Sequence, residues 1–114
     1  MPTFRPGDVI VANLPGAVQA KRRPGIVLST VAYHAGHPDI IVGVITTNTA
    51  TASTATDHIL KDWQAASLLQ PSAFRTYIGT PLQSDCRIIG HLSPRDWQAI
   101  QKAIRSAIDF GPYP

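Results

Sequence analysis

SPRDWQAIQKAIRSAIDFG, residues 93–111, is the stretch whose reading settles the fold class. Ser93 sits where a helix N-cap belongs, Pro94 takes the first helical position, and Asp96 stands where an acid closes a capping box. Trp97, Ile100, Ile104, Ala107 and Ile108 then recur on one helical face, while Arg95, Gln98, Lys102, Arg105 and Asp109 fall on the other. Gly111 is the expected stop. A single helix with one apolar face must bury it against another layer, and everything upstream reads as strands.

Working back from the helix, Cys86 to Ile89 reads as a short last strand. Phe74 to Ile78 alternates, with Phe74, Thr76 and Ile78 on one face and Arg75 and Tyr77 on the other, so that Arg75 faces solvent or a ligand. Asp57 to Trp63 is compatible with a short strand, and Trp63 to Leu69 with a helical turn ended by Pro71. Thr49 to Thr56 (TATASTAT) has no apolar anchor and is expected to be a mobile surface loop. Ile40 to Thr47 (IIVGVITT) is a central strand with a polar C-terminal end. His34 to Asp39 forms a turn before it, and the pairs Pro6-Gly7 and Pro24-Gly25 introduce two earlier strands, Asp8 to Leu14 and Ile26 to Ala32. Several short antiparallel strands followed by one helix predict a small, mainly β barrel with a C-terminal helix, a single domain over residues 1–114.

Composition narrows the function. With 44% hydrophobic and 15% charged residues the chain is too apolar for disorder, yet its longest apolar run, Ile40 to Ile45, is far below the roughly 18 to 20 residues of a membrane helix. The opening MPTFRPGD lacks a secretory pattern and the lone Cys86 has no disulfide partner, so a cytoplasmic location is expected. Ten Lys and Arg outweigh seven acids, all Asp, for a net charge of +3. Lys21, Arg22 and Arg23 are consecutive just before Pro24, crowding one loop at the mouth of a strand. Such a cluster is either a solvated loop or an anion site; for an anion site nucleic acid is the default partner and acidic protein the competitor.

Four stretches resemble the MazF/PemK family of toxins from bacterial toxin–antitoxin pairs: GDVIVANL (Gly7 to Leu14), RPGIVLS (Arg23 to Ser29), VITT (Val44 to Thr47) and IGHLSPRDWQAIQKAI (Ile89 to Ile104). Their order and spacing carry the likeness more than any one of them. The resemblance implies a small SH3-like antiparallel barrel of the PemK/CcdB type. It also implies a sequence-selective endoribonuclease acting on single-stranded RNA, a homodimer and a cognate antitoxin. The arginine of the Arg-Pro step and the threonine ending the central strand, here Arg23 and Thr46, are the residues the family places at the scissile phosphate. The chain departs from the family at Gly16 to Lys21 (GAVQAK), where a glutamate is sometimes found, and at Arg75, which has no acid beside it in sequence.

The residues suit that chemistry. Cleavage of RNA without a metal needs the 2′-hydroxyl deprotonated, the leaving 5′-oxygen protonated and a phosphorane stabilised. Arg23 fits the last task, since a guanidinium stays charged and offers a planar fork to phosphate oxygens. Thr46 is too weak a base to act alone and fits a positioning role. Thr47, Asn48, Arg75 and Tyr77 are of kinds that read single-stranded RNA. Of these Thr47, Asn48 and Arg75 are assigned to substrate binding, together with Lys21 and Arg22. His34, His37 and His58 are candidate acid–base residues or ordinary loop residues, His91 reads as structural, and Cys86 as an inert thiol. Scattered histidines and one cysteine lack zinc-type spacing, so no metal or cofactor is expected. The alternatives are a non-catalytic relative that binds RNA or antitoxin, and a CcdB-like topoisomerase poison.

Overall fold

The computed structural model describes residues 3–15 and 21–113. Its strands and α-helices run β1 (Asp8–Leu14), β2 (Lys21–Val27), α1 (Val31–Gly36), β3 (Val42–Thr46), β4 (His58–Ile59), β5 (Ala73–Gly79), β6 (Arg87–His91) and α2 (Pro94–Ala107). The strands form one antiparallel sheet in the order β4-β5-β3-β2-β1-β6. Its two ends, β4 and β6, are edges, so the expected barrel is an open one.

Both faces of the central strands are buried, which is why IIVGVI is apolar at successive positions rather than alternating. Val9, Ile26 and Ile45 join Phe74, Leu60 and Ile100 in a core beneath α2. Ile10, Val27, Val42 and Val44 point the other way and pack with Phe4, Leu14 and Ile40. Helix α2 starts as its sequence requires, the Ser93 hydroxyl accepting from the Asp96 amide at 3.3 Å, and buries Ile100 and Ala103. It ends at Ala107, with Ile108 as an extended, half-exposed C-cap three residues before Gly111. Asp96 does not close a capping box. It is fully buried, and its carboxylate accepts from the amides of Lys61 (2.9 Å) and Asp62 (2.8 Å) and from His58 Nε2 (2.7 Å), tying α2 to β4.

Several boundaries differ from expectation for local reasons. Strand β2 begins at Lys21 and stops at Val27; the expected continuation to Ala32 is replaced by α1, which the Thr30 hydroxyl caps by accepting from the Tyr33 amide at 3.2 Å. Helix α1 also takes up the first half of the expected His34–Asp39 turn. Strand β4 is two residues long, and a turn follows it as expected, with Leu68 N donating to Trp63 O at 3.1 Å. Strand β6 starts at Arg87 and runs on to His91.

The largest departure is in β5. Gly43 pairs with Ile78 and Ile45 with Phe74, so Val44 alone opposes Arg75, Thr76 and Tyr77. This bulge breaks the expected alternation: Phe74 is buried, Ile78 is exposed, and Thr76 has a φ of +61°. A β-branched residue in the left-handed region costs on the order of 1–3 kcal/mol. Its hydroxyl is held in turn by the carbonyl of Thr56. Gly43 allows the packing beside the bulge, because a Cβ there would run into the buried Phe74 ring. Gly43→Ala should therefore lower stability by about 1–3 kcal/mol in a urea melt.

Candidate active site

The β2–β3 register sets Gly25 opposite Val44, and continued toward the C-terminal end of β3 it brings Arg23 beside Thr46. Both side chains line two neighbouring cavities. The first, about 190 Å³, is completed by Val44, Asn48, Thr51, Arg75, Tyr77 and Pro15. The second, about 320 Å³, is completed by Lys21, Arg22, Pro24, Ile45 and Thr47. Arg23 and Thr46 thus form the ridge between them, and all seven residues assigned from the sequence border one cavity or the other.

Each is held differently. Arg23 and Arg75 are half-buried, and among the described residues the buried Nε of each meets no hydrogen-bond partner. Both guanidiniums line the first cavity, which has no carboxylate among its lining residues, and two cations placed so favour an anion there. Thr46 Oγ accepts from the Asn48 amide at 3.1 Å, which leaves its hydroxyl proton free to donate. Thr47 and Asn48 are exposed just beyond β3.

Lys21, Arg22 and Arg23 do not crowd a loop; they lie within β2, and all three border the second cavity. Arg22 is committed elsewhere: its guanidinium pairs with Asp85 at 3.1 Å and donates to the Asp85 carbonyl at 3.2 Å. The Asn13 amide, with this guanidinium, holds the Asp85 carboxyl below its ordinary range. Residues 16–20 of the GAVQAK stretch lie outside the described residues.

Arg75 does have an acid near it, supplied by a distant part of the chain. Asp57 accepts from the Ser53 and Thr54 amides and the Thr54 hydroxyl at 2.9 to 3.1 Å. The Thr54 amide leads the causes that lower its pKa, and the Arg75 charge contributes. These bonds, with a 3-10 turn at Thr49–Thr51, lie within the segment expected to be a mobile surface loop. Thr51 donates to the Asn48 carbonyl at 2.9 Å, so the loop braces a cavity residue.

The histidines are occupied away from the cavities, neither of which they line. His34 Nδ1 donates to the Phe4 carbonyl and Nε2 meets the Ser29 hydroxyl at 2.6 Å, while His37 stacks on Tyr33. His58 is held by Asp96, and His91 Nδ1 donates to Asp8 at 2.8 Å, which is structural as expected. Cys86 is half-buried, and burial, with Asp85 beside it, pushes its thiol up to about 11. Its alkylation by iodoacetamide at pH 8 should be at least ~10-fold slower in the native protein than in urea, because the thiolate is the nucleophile.

Sequence reasoning did not assign Pro15, Thr51 or Tyr77 to the site. Thr51 is one of four threonines in a repetitive loop and carried no signal of its own. Tyr77 had one, its place two residues from Arg75 on an alternating strand.

Among the described residues no group of three His, Cys or Asp could hold a metal ion, and no helix is long and apolar enough to cross a membrane. Solved structures share the fold. A mycobacterial endoribonuclease in complex with its cognate antitoxin superposes with a TM-score of 0.76 at 19% identity, over 97% of this chain and 99% of that one. The MazE–MazF complex of Deinococcus radiodurans gives 0.73 at 12% identity, over 97% and 100% of the two chains. The Mycobacterium tuberculosis toxin MazF-mt6 gives 0.72 at 25% identity, over 92% and 99%. No curated protein matches at the sequence level. Residues 5–108 match the PemK-like, MazF-like toxins of type II toxin–antitoxin systems, and the chain belongs to that family.

Proposed function

We propose that the protein is a sequence-selective, metal-independent endoribonuclease of single-stranded RNA, the toxin of a cytoplasmic toxin–antitoxin pair. The observation that carries this reading is the pair of half-buried guanidiniums, Arg23 and Arg75, which line one cavity with Thr46 and whose Nε atoms have no partner among the described residues. A phosphodiester supplies the acceptors both require, and its charge grows in the transition state, when such donors are worth most.

In the proposed reaction the substrate's 2′-hydroxyl gives its proton to solvent as its oxygen attacks the adjacent phosphorus, the bond to the 5′-oxygen breaks as that oxygen takes a proton from solvent, and a 2′,3′-cyclic phosphate and a 5′-hydroxyl result. Arg23 stabilises the charge that develops on the non-bridging oxygens, with Arg75 as second donor. Thr46 donates its free hydroxyl proton to a phosphate oxygen and fixes the approach. Lys21, on the far side of the ridge, attracts the strand's next phosphate, and Thr47 and Asn48 contact bases. Arg22, paired with Asp85, adds field rather than direct contact. The homodimer and the antitoxin follow from family membership, an acidic antitoxin segment competing with RNA for the same cations.

The test is incubation with a long single-stranded RNA in EDTA, followed by mapping of the ends. Cleavage at a few recurrent sites, leaving 5′-hydroxyl and cyclic phosphate ends, is expected. RNA bound but uncut would leave a non-catalytic relative, and cleavage that requires added magnesium would overturn the mechanism.

A further inference from the structure

Tyr77 stands out on the cavity wall. It is 56% exposed although it belongs to a strand, and it borders the space shared by Arg23, Thr46, Asn48 and Arg75. The guanidinium carbon of Arg75 lies 5.0 Å from its ring centroid, close enough for a cation–π contact that orients both groups. The bulge creates this arrangement. With Val44 alone opposing three residues, the β3–β5 ladder is interrupted, and the cavity opens at that interruption, since Val44 lines it too. The left-handed backbone at Thr76 and its bond to the Thr56 carbonyl hold Arg75 and Tyr77 in place from behind. A plain surface tyrosine needs none of these supports.

From this geometry we propose that Tyr77 is a stacking surface for one base of single-stranded RNA, the base next to the phosphate that Arg23 and Arg75 hold. The inference rests on the nuclease reading above for its ligand and adds the residue that binds a base beside the reacting phosphate. A nucleotide offers a negatively charged phosphate and a π-face joined by one sugar, and the wall offers two guanidiniums and an exposed aromatic ring within one cavity. Stacking favours any base over none, so Tyr77 contributes affinity at a fixed position while polar neighbours such as Asn48 choose among bases.

The experiment compares binding of two labelled, uncleavable probes, an oligo-2′-deoxyadenosine decamer and the same decamer with all bases removed. The native protein and Tyr77→Phe should prefer the base-bearing decamer by about tenfold or more, and Tyr77→Leu should bring the preference below about threefold. Tyr77 is exposed, so Tyr77→Leu should melt as the native protein does, and retention in Tyr77→Phe separates ring stacking from the phenol hydroxyl. An unchanged preference in Tyr77→Leu overturns the proposal, whether or not the protein cuts RNA. A preference that depends on Tyr77 in a protein that cuts no RNA would sustain the stacking site and reject the nuclease reading. On cleavable RNA, Tyr77→Leu should raise KM more than it lowers kcat and leave the EDTA-resistant reaction in place.

Discussion

Arg23→Ala should cut RNA at least ~10²–10³-fold more slowly than the native protein while melting at the same temperature or slightly higher. The rate loss is that of removing one preorganised donor from developing negative charge, about 3–4 kcal/mol. The unchanged melting follows from a different fact. The buried Nε of Arg23 has no partner among the described residues, so its removal breaks no bond that Nε makes and relieves a desolvated donor. A structural arginine behaves the opposite way, losing stability first and activity only as a consequence. Arg23→Lys should recover a small part of the rate, since a lysine restores charge without the planar fork. Single-turnover cleavage of a defined RNA and a thermal melt of each variant provide the check. Native-like cleavage in the alanine variant would remove Arg23 from the mechanism. Lost cleavage with a melting temperature lowered by more than a few degrees would assign it to the fold instead.

What could be read from the residues divides along physical lines. Signals that act within a few residues were legible: the Ser93-Pro94 start of α2, the strand that follows Pro6-Gly7, and the apolar run of β3; Pro24-Gly25 lies inside β2 instead of introducing a strand. The misreadings came where a tertiary partner decides. Val31 and Ala32 look like strand, but a capping threonine and the end of pairing at Val27 turn them into a helix. Asp96 looks like a capping-box acid, yet two amides and a histidine more than thirty residues earlier take its carboxylate. Ile108 looks like the end of a helical stripe, yet its backbone is extended and α2 ends at Ala107, before the glycine is reached.

The proposed site followed the same division. Arg23 and Thr46 were found through the resemblance carried by RPGIVLS and VITT, and antiparallel register then brings them together. Arg22 was indistinguishable from its neighbours in sequence; only Asp85, 63 residues away, shows that its guanidinium is already paired. The acid near Arg75 was invisible for a related reason, since Asp57 reaches it through a loop and not along the strand. The bulge that exposes Tyr77 depends on Gly43, in another strand, accepting the Phe74 ring, and no local pattern announces it.

Asp96→Ala should be strongly destabilising, at about 3 kcal/mol or more, enough to lower the melting temperature by roughly 10 °C. The carboxylate is fully buried and satisfies the amides of Lys61 and Asp62, and both donors stay in place without an acceptor when it is removed. It also lies in the first turn of α2, where negative charge is favoured by the helix dipole. Burial opposes its ionisation, but the Lys61 amide, His58 and the Asp62 amide outweigh burial and hold its carboxyl below the ordinary value. The native state therefore favours the charged form, so this contribution is complete above the unfolded carboxyl pKa, about 4, and is lost as pH falls through the lower folded value. Asp62, held well below the usual range by Arg95 and Ser93, acts in the same direction. Melting temperature should thus fall between pH 5 and pH 3 in the native protein, and fall less steeply in Asp96→Asn, which keeps the shape without the charge. Because Asp96 anchors β4, and β4 pairs with Phe74 at the foot of the bulge, Asp96→Asn should also weaken RNA cleavage before it unfolds the chain. An Asp96→Ala variant that melts within a few degrees of the native protein would mean that α2 and β4 are held by Ile100 and its apolar neighbours alone.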